Sequence, residues 1–193
     1  MSECKTPLVR DAVPEDAPAL LEIYRYYVEK TAITFDWEVP TAAEFADRIR
    51  SIRRSYPYLV LEQDGRLLGY AYAGTFKNRR AYDWAVETTI YLDQSLRGKC
   101  LGRLLYAALE QRLAAMHITN LNACICYNPT PDDTCQNESM RFHTKEGYAL
   151  VGKFHRCGYK FNRWYDMIWM EKLIGDHPNQ MPPVLWPQPG EKE

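Results

Sequence analysis

The stretch that most constrains this chain runs from Ala85 to Met116, where a strand-like segment passes through a glycine turn directly into a helix. Val86, Thr88, Thr89 and Ile90 are β-branched and lead into Tyr91 and Leu92, the composition of a half-buried strand. Leu101, Leu104, Leu105, Ala108, Leu109 and Leu113 recur at three- and four-residue spacings, the stripe of an amphipathic helix. Between them lies Arg97-Gly98-Lys99-Cys100-Leu101-Gly102. A helix start leaves backbone N–H groups unpaired and carries positive potential, so this turn can cradle a phosphate or pyrophosphate. Glycine turns before helices also serve as plain connections. No GxxxxGK[ST] and no GxGxxG is present, which sets aside the P-loop and the dinucleotide fold.

The 193 residues suit one domain, expected over 1–174, followed by a tail from 175 to 193. Five prolines in those last nineteen residues predict an extended tail that packs little. The formal net charge is −1 and no long basic block occurs, which argues against nucleic-acid binding. No apolar run is long enough to span a membrane, and the N-terminus has no apolar signal region, so a soluble cytoplasmic protein is expected. The six cysteines form no CxxC pair, and Cys124 and Cys126 share one strand face, too crowded for a zinc site. They are expected to be free thiols, with no metal bound.

Leu8–Arg10 predicts a short strand, and Leu20, Leu21, Ile23, Tyr24, Tyr27 and Val28 make one helical apolar face. Phe35 and Trp37, in the irregular segment 31–40, either plug the core or wall a pocket. Thr41 and Glu44 form a capping box that starts a second helix. Asp64-Gly65 joins two strand-like runs as a hairpin. Asn120–Cys126 predicts a further strand, 127–136 an irregular loop, 137–146 a short helix capped by Gly147, and 148–154 with 164–172 two closing strands. The order β-α-α-β-β-β-α-β-α-β-β is mixed α/β.

Glu87 sits within the β-branched strand, where a buried carboxylate is costly unless it is used. The pattern alone equally allows a glutamate that faces solvent or pairs with Arg79 or Arg80. Thr89 falls on the same face as Glu87. The run Lys77, Arg79, Arg80 and Tyr82 is either a solvated charged turn or a fork for oxyanions.

The turn resembles motif A of the GCN5-related N-acetyltransferases, (Arg or Gln)-x-x-Gly-x-(Gly or Ala). Arg97 and Gly102 match it, and Cys100 stands where the family has its first glycine. Residues 56–102 (YPYLVLEQDGRLLGYAYAGTFKNRRAYDWAVETTIYLDQSLRGKCLG), 137–148 (NESMRFHTKEGY) and 161–170 (FNRWYDMIWM) are similar to the phosphinothricin acetyltransferases. The resemblance implies the GNAT acyl-CoA N-acyltransferase fold, a mixed central sheet with splayed middle strands flanked by helices. It implies acetyl-CoA as co-substrate, held by Ile90, Tyr91, Leu92, the turn Arg97, Gly98, Lys99, Cys100, Leu101, Gly102 and Arg103, and Asn137. The acceptor it implies is the amine of a small amino acid analogue of phosphinothricin, methionine sulfone or methionine sulfoximine type. Phe35, Lys77, Arg79, Tyr82 and Thr89 would contact it. Glu87 matches the base, and His143 a proton-transfer residue, first as acid to the coenzyme A sulfur, with a shared base role open. The resemblance also implies a homodimer. Rival functions are acetylation of a protein N-terminus or a polyamine, and a non-catalytic acyl-CoA-binding module. The loop 127–136 is longer than in the herbicide-resistance enzymes and adjoins the expected pocket.

Overall fold

A computed structural model of the chain describes residues 7–96 and 98–187. Arg97 and residues 1–6 and 188–193 lie outside them. The chain runs β1 (Leu8–Asp11), α1 (Ala17–Lys30), α2 (Ala42–Arg53), β2 (Tyr58–Gln63), β3 (Arg66–Thr75), β4 (Ala85–Leu92), α3 (Leu101–Ala115), β5 (Asn120–Tyr127), α4 (Glu138–Lys145), β6 (Ala149–Lys160) and β7 (Arg163–Leu173). The expected mixed α/β order is the observed one.

The strands form one seven-stranded sheet in the order β1-β2-β3-β4-β5-β7-β6. Neighbours are antiparallel except β4 and β5, which run parallel and pair only from Ala85–Glu87 to Asn120–Asn122. Beyond Glu87 the two strands part. On β2, Tyr58 and Val60 join α1 and α2 in one core cluster, while Leu59 and Leu61 join α3 in another. This is the period-two alternation of a strand covered on both faces. β4 follows the same rule: Val86, Ile90 and Leu92 pack toward α3, and Tyr91 packs toward α1. Glu87 and Thr89 therefore share the α1 face.

Local chemistry accounts for most boundaries. Thr41 Oγ1 accepts from the Glu44 amide at 3.2 Å, and Glu44 Oε2 accepts from the Thr41 amide at 2.7 Å, a complete capping box. Asp64 (φ 50°) and Gly65 (φ 78°) are both left-handed, as the tight hairpin between β2 and β3 requires. On α3, Leu101, Leu105, Leu109 and Leu113 are buried with Tyr106, whereas Leu104 faces out.

Two expectations are corrected. The closing hairpin is longer than 148–154 and 164–172, because Phe161 (φ 50°) and Asn162 (φ 57°) make a tight turn without glycine. The tail, expected to pack little, is mostly exposed but docks at several points as far as Trp186. The Trp84 indole donates to the Pro182 carbonyl at 2.7 Å, the Leu185 amide donates to the Met116 carbonyl at 3.1 Å, and Trp186 meets Tyr56 edge-on at 5.5 Å. Its prolines set an extended path, and the aromatic groups along that path supply contacts.

Lys160, at the end of β6, is 3% exposed and donates to the carbonyls of Thr31 (2.9 Å) and Thr34 (2.8 Å). It ties the segment after α1 to the far edge of the sheet. Lys160→Met should leave both carbonyls unpaired and destabilise the fold by about 1–3 kcal/mol, read as a lower midpoint in thermal unfolding. An unchanged midpoint would show that water replaces the ammonium.

Candidate active site

The parting of β4 and β5 leaves one edge of β4 beyond Glu87 without a strand partner. Backbone N–H and C=O groups on such an edge are strong, directional partners for an amide-bearing ligand. At the far end of this gap lies the turn before α3. Gly98 (φ 78°) and Cys100 (φ 58°) are left-handed there, and the Cys100 side chain at the N-cap makes no capping hydrogen bond. The N-cap side chain therefore leaves the first-turn amides of α3 to an anion, as a cradle requires. The Cys100 position shows why glycine is favoured in this turn: a left-handed backbone suits a residue without Cβ. The Cys100 side chain is exposed. At Gly102 an added Cβ would lie 2.9 Å from the Phe142 ring of α4, so close packing of α3 on α4 needs a glycine.

Two connected spaces fill the gap. One, about 310 Å³ and mostly apolar, runs from Gly98 past Leu92 and Phe142 to Ile90. The other, about 320 Å³, is lined by Glu87, Thr89, Ile90, Tyr91, Phe35 and His143 among others. They share Ile33, Ile90, Glu138 and Ser139. An anion cradle, an apolar passage and an open strand edge in sequence fit the diphosphate, aliphatic arm and amide groups of an acyl-coenzyme A.

Glu87 is half-buried and has no hydrogen-bond partner among the described residues. Burial raises its pKa above the usual carboxylate value, and the Lys77 ammonium pulls it partly back. A desolvated carboxylate with free lone pairs is a proton acceptor. Thr89, two residues on, neighbours the Tyr72 hydroxyl, and both line the cavity.

His143 is 3% exposed and bonded at both nitrogens. Nδ1 lies 2.8 Å from the Ser139 carbonyl, which can only accept, so the proton resides on Nδ1. Nε2 therefore accepts from the Tyr106 hydroxyl at 2.8 Å. Burial lowers the imidazole pKa from 6.5 to about 4. At neutral pH this ring has no Nε2 proton to give, so the arrangement does not favour the acid role expected for it. Tyr106 also approaches Thr88 Oγ1 (3.5 Å), which lies 3.1 Å from the Tyr148 hydroxyl.

The remaining expected site residues are placed unevenly. Phe35 lines the Glu87 cavity, its ring filling the space that a Cβ at Gly158 would need. Lys77, Arg79 and Tyr82 lie on the exposed 76–84 loop and do not line that cavity. Lys77 Nζ sits 5.1 Å from the Phe76 ring centre and 5.5 Å from that of Trp169. Tyr82 meets Phe76 edge-on and faces a separate depression closed by the tail. Asn137 is left-handed (φ 60°) at the start of α4, but its side chain does not cap the helix. Its Oδ1 accepts from the Asn128 amide (2.8 Å) and its Nδ2 donates to the Asn128 carbonyl (2.9 Å), pinning the 128–136 loop. Lys99 and Arg103 are exposed beside the turn, and Leu101 is buried beneath it.

Three wall residues went unmarked in the sequence. Tyr24 donates to Asp36 Oδ2 at 2.6 Å, and Arg48 lies beside both. Tyr24 reads as core and Arg48 as a surface charge of α2; only the packing of α1 on α2 puts them at the cavity.

The burial of His143 sets a pH dependence. Unfolded, the ring binds its proton near 6.5; folded, near 4. Between these values the unfolded chain holds more protons, so stability is full above about pH 6.5 and falls on acidification toward pH 4. The group accounts for about 3 kcal/mol of that loss. His143→Gln should flatten the dependence, measured as urea midpoints from pH 7 to pH 4. An equal slope in the variant would place the titrating group elsewhere.

Comparison with known proteins agrees with this geometry. The family described as an acetyltransferase (GNAT) domain matches residues 9–169. The phosphinothricin N-acetyltransferase of Streptomyces viridochromogenes is 34% identical over 168 residues, 86% of this chain and 88% of that protein. The L-methionine sulfoximine/L-methionine sulfone acetyltransferase of Salmonella typhimurium is 28% identical, over 88% of this chain and 95% of that protein. Among solved structures, a phosphinothricin acetyltransferase from Sinorhizobium meliloti in complex with AcCoA superposes with a TM-score of 0.79 at 35% identity. That match covers 89% of this chain and 90% of the other. This chain belongs to the GNAT family of acetyltransferases, with acetyl-CoA as co-substrate.

Proposed function

We propose that this acetyltransferase acts on the α-amine of a small amino acid carrying a tetrahedral side-chain group, of the phosphinothricin, methionine sulfone or methionine sulfoximine kind. The observation that carries this is Glu87: a half-buried carboxylate, without a hydrogen-bond partner among the described residues, at the point where β4 leaves β5 and lining the same cavity as the open edge of β4. The names of the relatives supply the acceptor class.

In this reading Glu87 accepts a proton from the substrate ammonium, directly or through water, because the ammonium itself has no lone pair. The freed lone pair attacks the thioester carbonyl, a C–N bond forms, and the C–S bond breaks. The second amine proton leaves with the sulfur. A backbone N–H of β4 near Tyr91 stabilises the oxyanion. Thr89 and Phe35 shape the acceptor side, and the 98–103 turn, with Arg97 before it, holds the pyrophosphate. Lys77 and Arg79 act from the rim as a positive approach to the cavity. His143, bonded on both sides, holds α4 to Tyr106. Acetylation of a polyamine fits less well, since Arg48 stands in the cavity wall.

The homodimer belongs to the same proposal. β6 is the sheet edge and exposes Leu150, Val151 and Phe154, an apolar surface suited to a second copy. A cytoplasmic setting is supported by the free thiols of Cys100, Cys124, Cys126, Cys135 and Cys157. No helix among the described residues is long and apolar enough to cross a membrane.

Glu87→Gln should lower kcat with methionine sulfone by roughly 10²–10⁴ at neutral pH. The deficit should shrink as pH rises and more amine is already deprotonated. The acid limb of the wild-type profile should lie above the ordinary glutamate value of 4.5, as burial requires. An unchanged pH–rate profile in the variant would remove Glu87 from the chemistry.

A further inference from the structure

Among the described residues that line the Glu87 cavity, Arg48 is the one lysine or arginine. Carboxylates are not scarce there, since Asp36, Glu87 and Glu138 share the wall. A single guanidinium facing a cavity built for a zwitterion has an obvious chemical partner.

α2 fixes this guanidinium by stacking. Its central carbon lies 5.8 Å from the Tyr24 ring centre and 5.6 Å from that of Phe45, both within cation–π range. Its polar neighbours are the Tyr24 hydroxyl, which approaches as a hydrogen-bond partner, and Asp36. The nearest Asp36 oxygen is 3.9 Å away, too far for a hydrogen bond, and the same oxygen already accepts from the Tyr24 hydroxyl at 2.6 Å. The side chain is 37% exposed, and Arg48 is among the residues that line the cavity. A guanidinium has five N–H donors in a planar fork that matches carboxylate, phosphinate or sulfone oxygens. The two ring faces hold the guanidinium, and the donors that Tyr24 does not take are left for a ligand.

We infer that Arg48 is the oxyanion-binding residue of the acceptor subsite, holding an oxygen-bearing group of the amino acid whose amine faces Glu87. This deepens the amino acid reading above and rests on it. The group held is either the α-carboxylate or the tetrahedral side-chain group, which share the same oxygen chemistry. Arg48 binds substrate and takes no part in proton transfer, so its loss acts on KM for the amine. Lys77 and Arg79, outside the cavity lining, contribute at longer range and to approach.

The test measures thiol release by wild type, Arg48→Met and Arg48→Lys with three amines: phosphinothricin, its α-carboxamide, and methionine. Arg48→Met should raise KM for phosphinothricin roughly 10- to 100-fold, with KM for acetyl-CoA unchanged. Arg48→Lys, which keeps charge and loses the fork, should fall between the two and guards against misfolding of the methionine variant. The penalty should vanish for the analogue lacking the group that Arg48 holds: the carboxamide if it is the carboxylate, methionine if it is the side-chain oxygens. A penalty equal for all three amines, or none for any, overturns the assignment while leaving the amino acid reading intact. Wild-type silence on all three amines overturns that reading and this assignment together.

Discussion

Everything in the site follows from the early end of one strand pairing. β4 and β5 run parallel for three residue pairs and then separate. Up to Glu87 the sheet is closed and both faces are covered; beyond it the backbone of β4 has an open side. Unpaired backbone groups inside a protein demand partners. A ligand that presents amides and a carbonyl along its length can supply them. The same separation lets solvent-sized space reach the middle of the sheet, so a carboxylate can stand there without being sealed in.

The charges around the gap are arranged by distance. Glu87 is desolvated enough for its pKa to rise, and Lys77 near the rim limits that rise. His143, deeper, is neutral and bonded into the α3–α4 contact. Arg48, on the opposite wall, keeps its charge against aromatic faces. A half-buried carboxylate, a neutral imidazole and a guanidinium thus line one cavity, with different degrees of burial.

The sequence made legible those parts whose signals are local. The capping box at Thr41, the Asp64-Gly65 hairpin, the β4 alternation and the glycine turn before α3 each follow from residues within a few positions of one another. Glu87 breaks the β-branched pattern, but that pattern equally allows a solvent-facing glutamate, and only the family resemblance singles it out. Less legible were features made by distant contacts. Nothing near Asn137 announces that both ends of its amide are used by Asn128. The Phe161-Asn162 turn carries no glycine, so the closing hairpin reads as shorter than it is. The prolines of the tail signal extension, while the partners that dock it, Trp84, Met116 and Tyr56, come from three separate elements. Arg48 belongs to the same class: a helix charge becomes a cavity wall only when α2 packs on α1.

The most direct test of the central claim is a titration of the Glu87 carboxyl carbon by NMR, with and without bound coenzyme A. A carboxylate standing in the gap between β4 and β5 should titrate above 4.5 in the free protein, and higher still once the ligand displaces water from the gap. A Glu87 that titrates at or below the ordinary value, and does not respond to the ligand, would contradict the account.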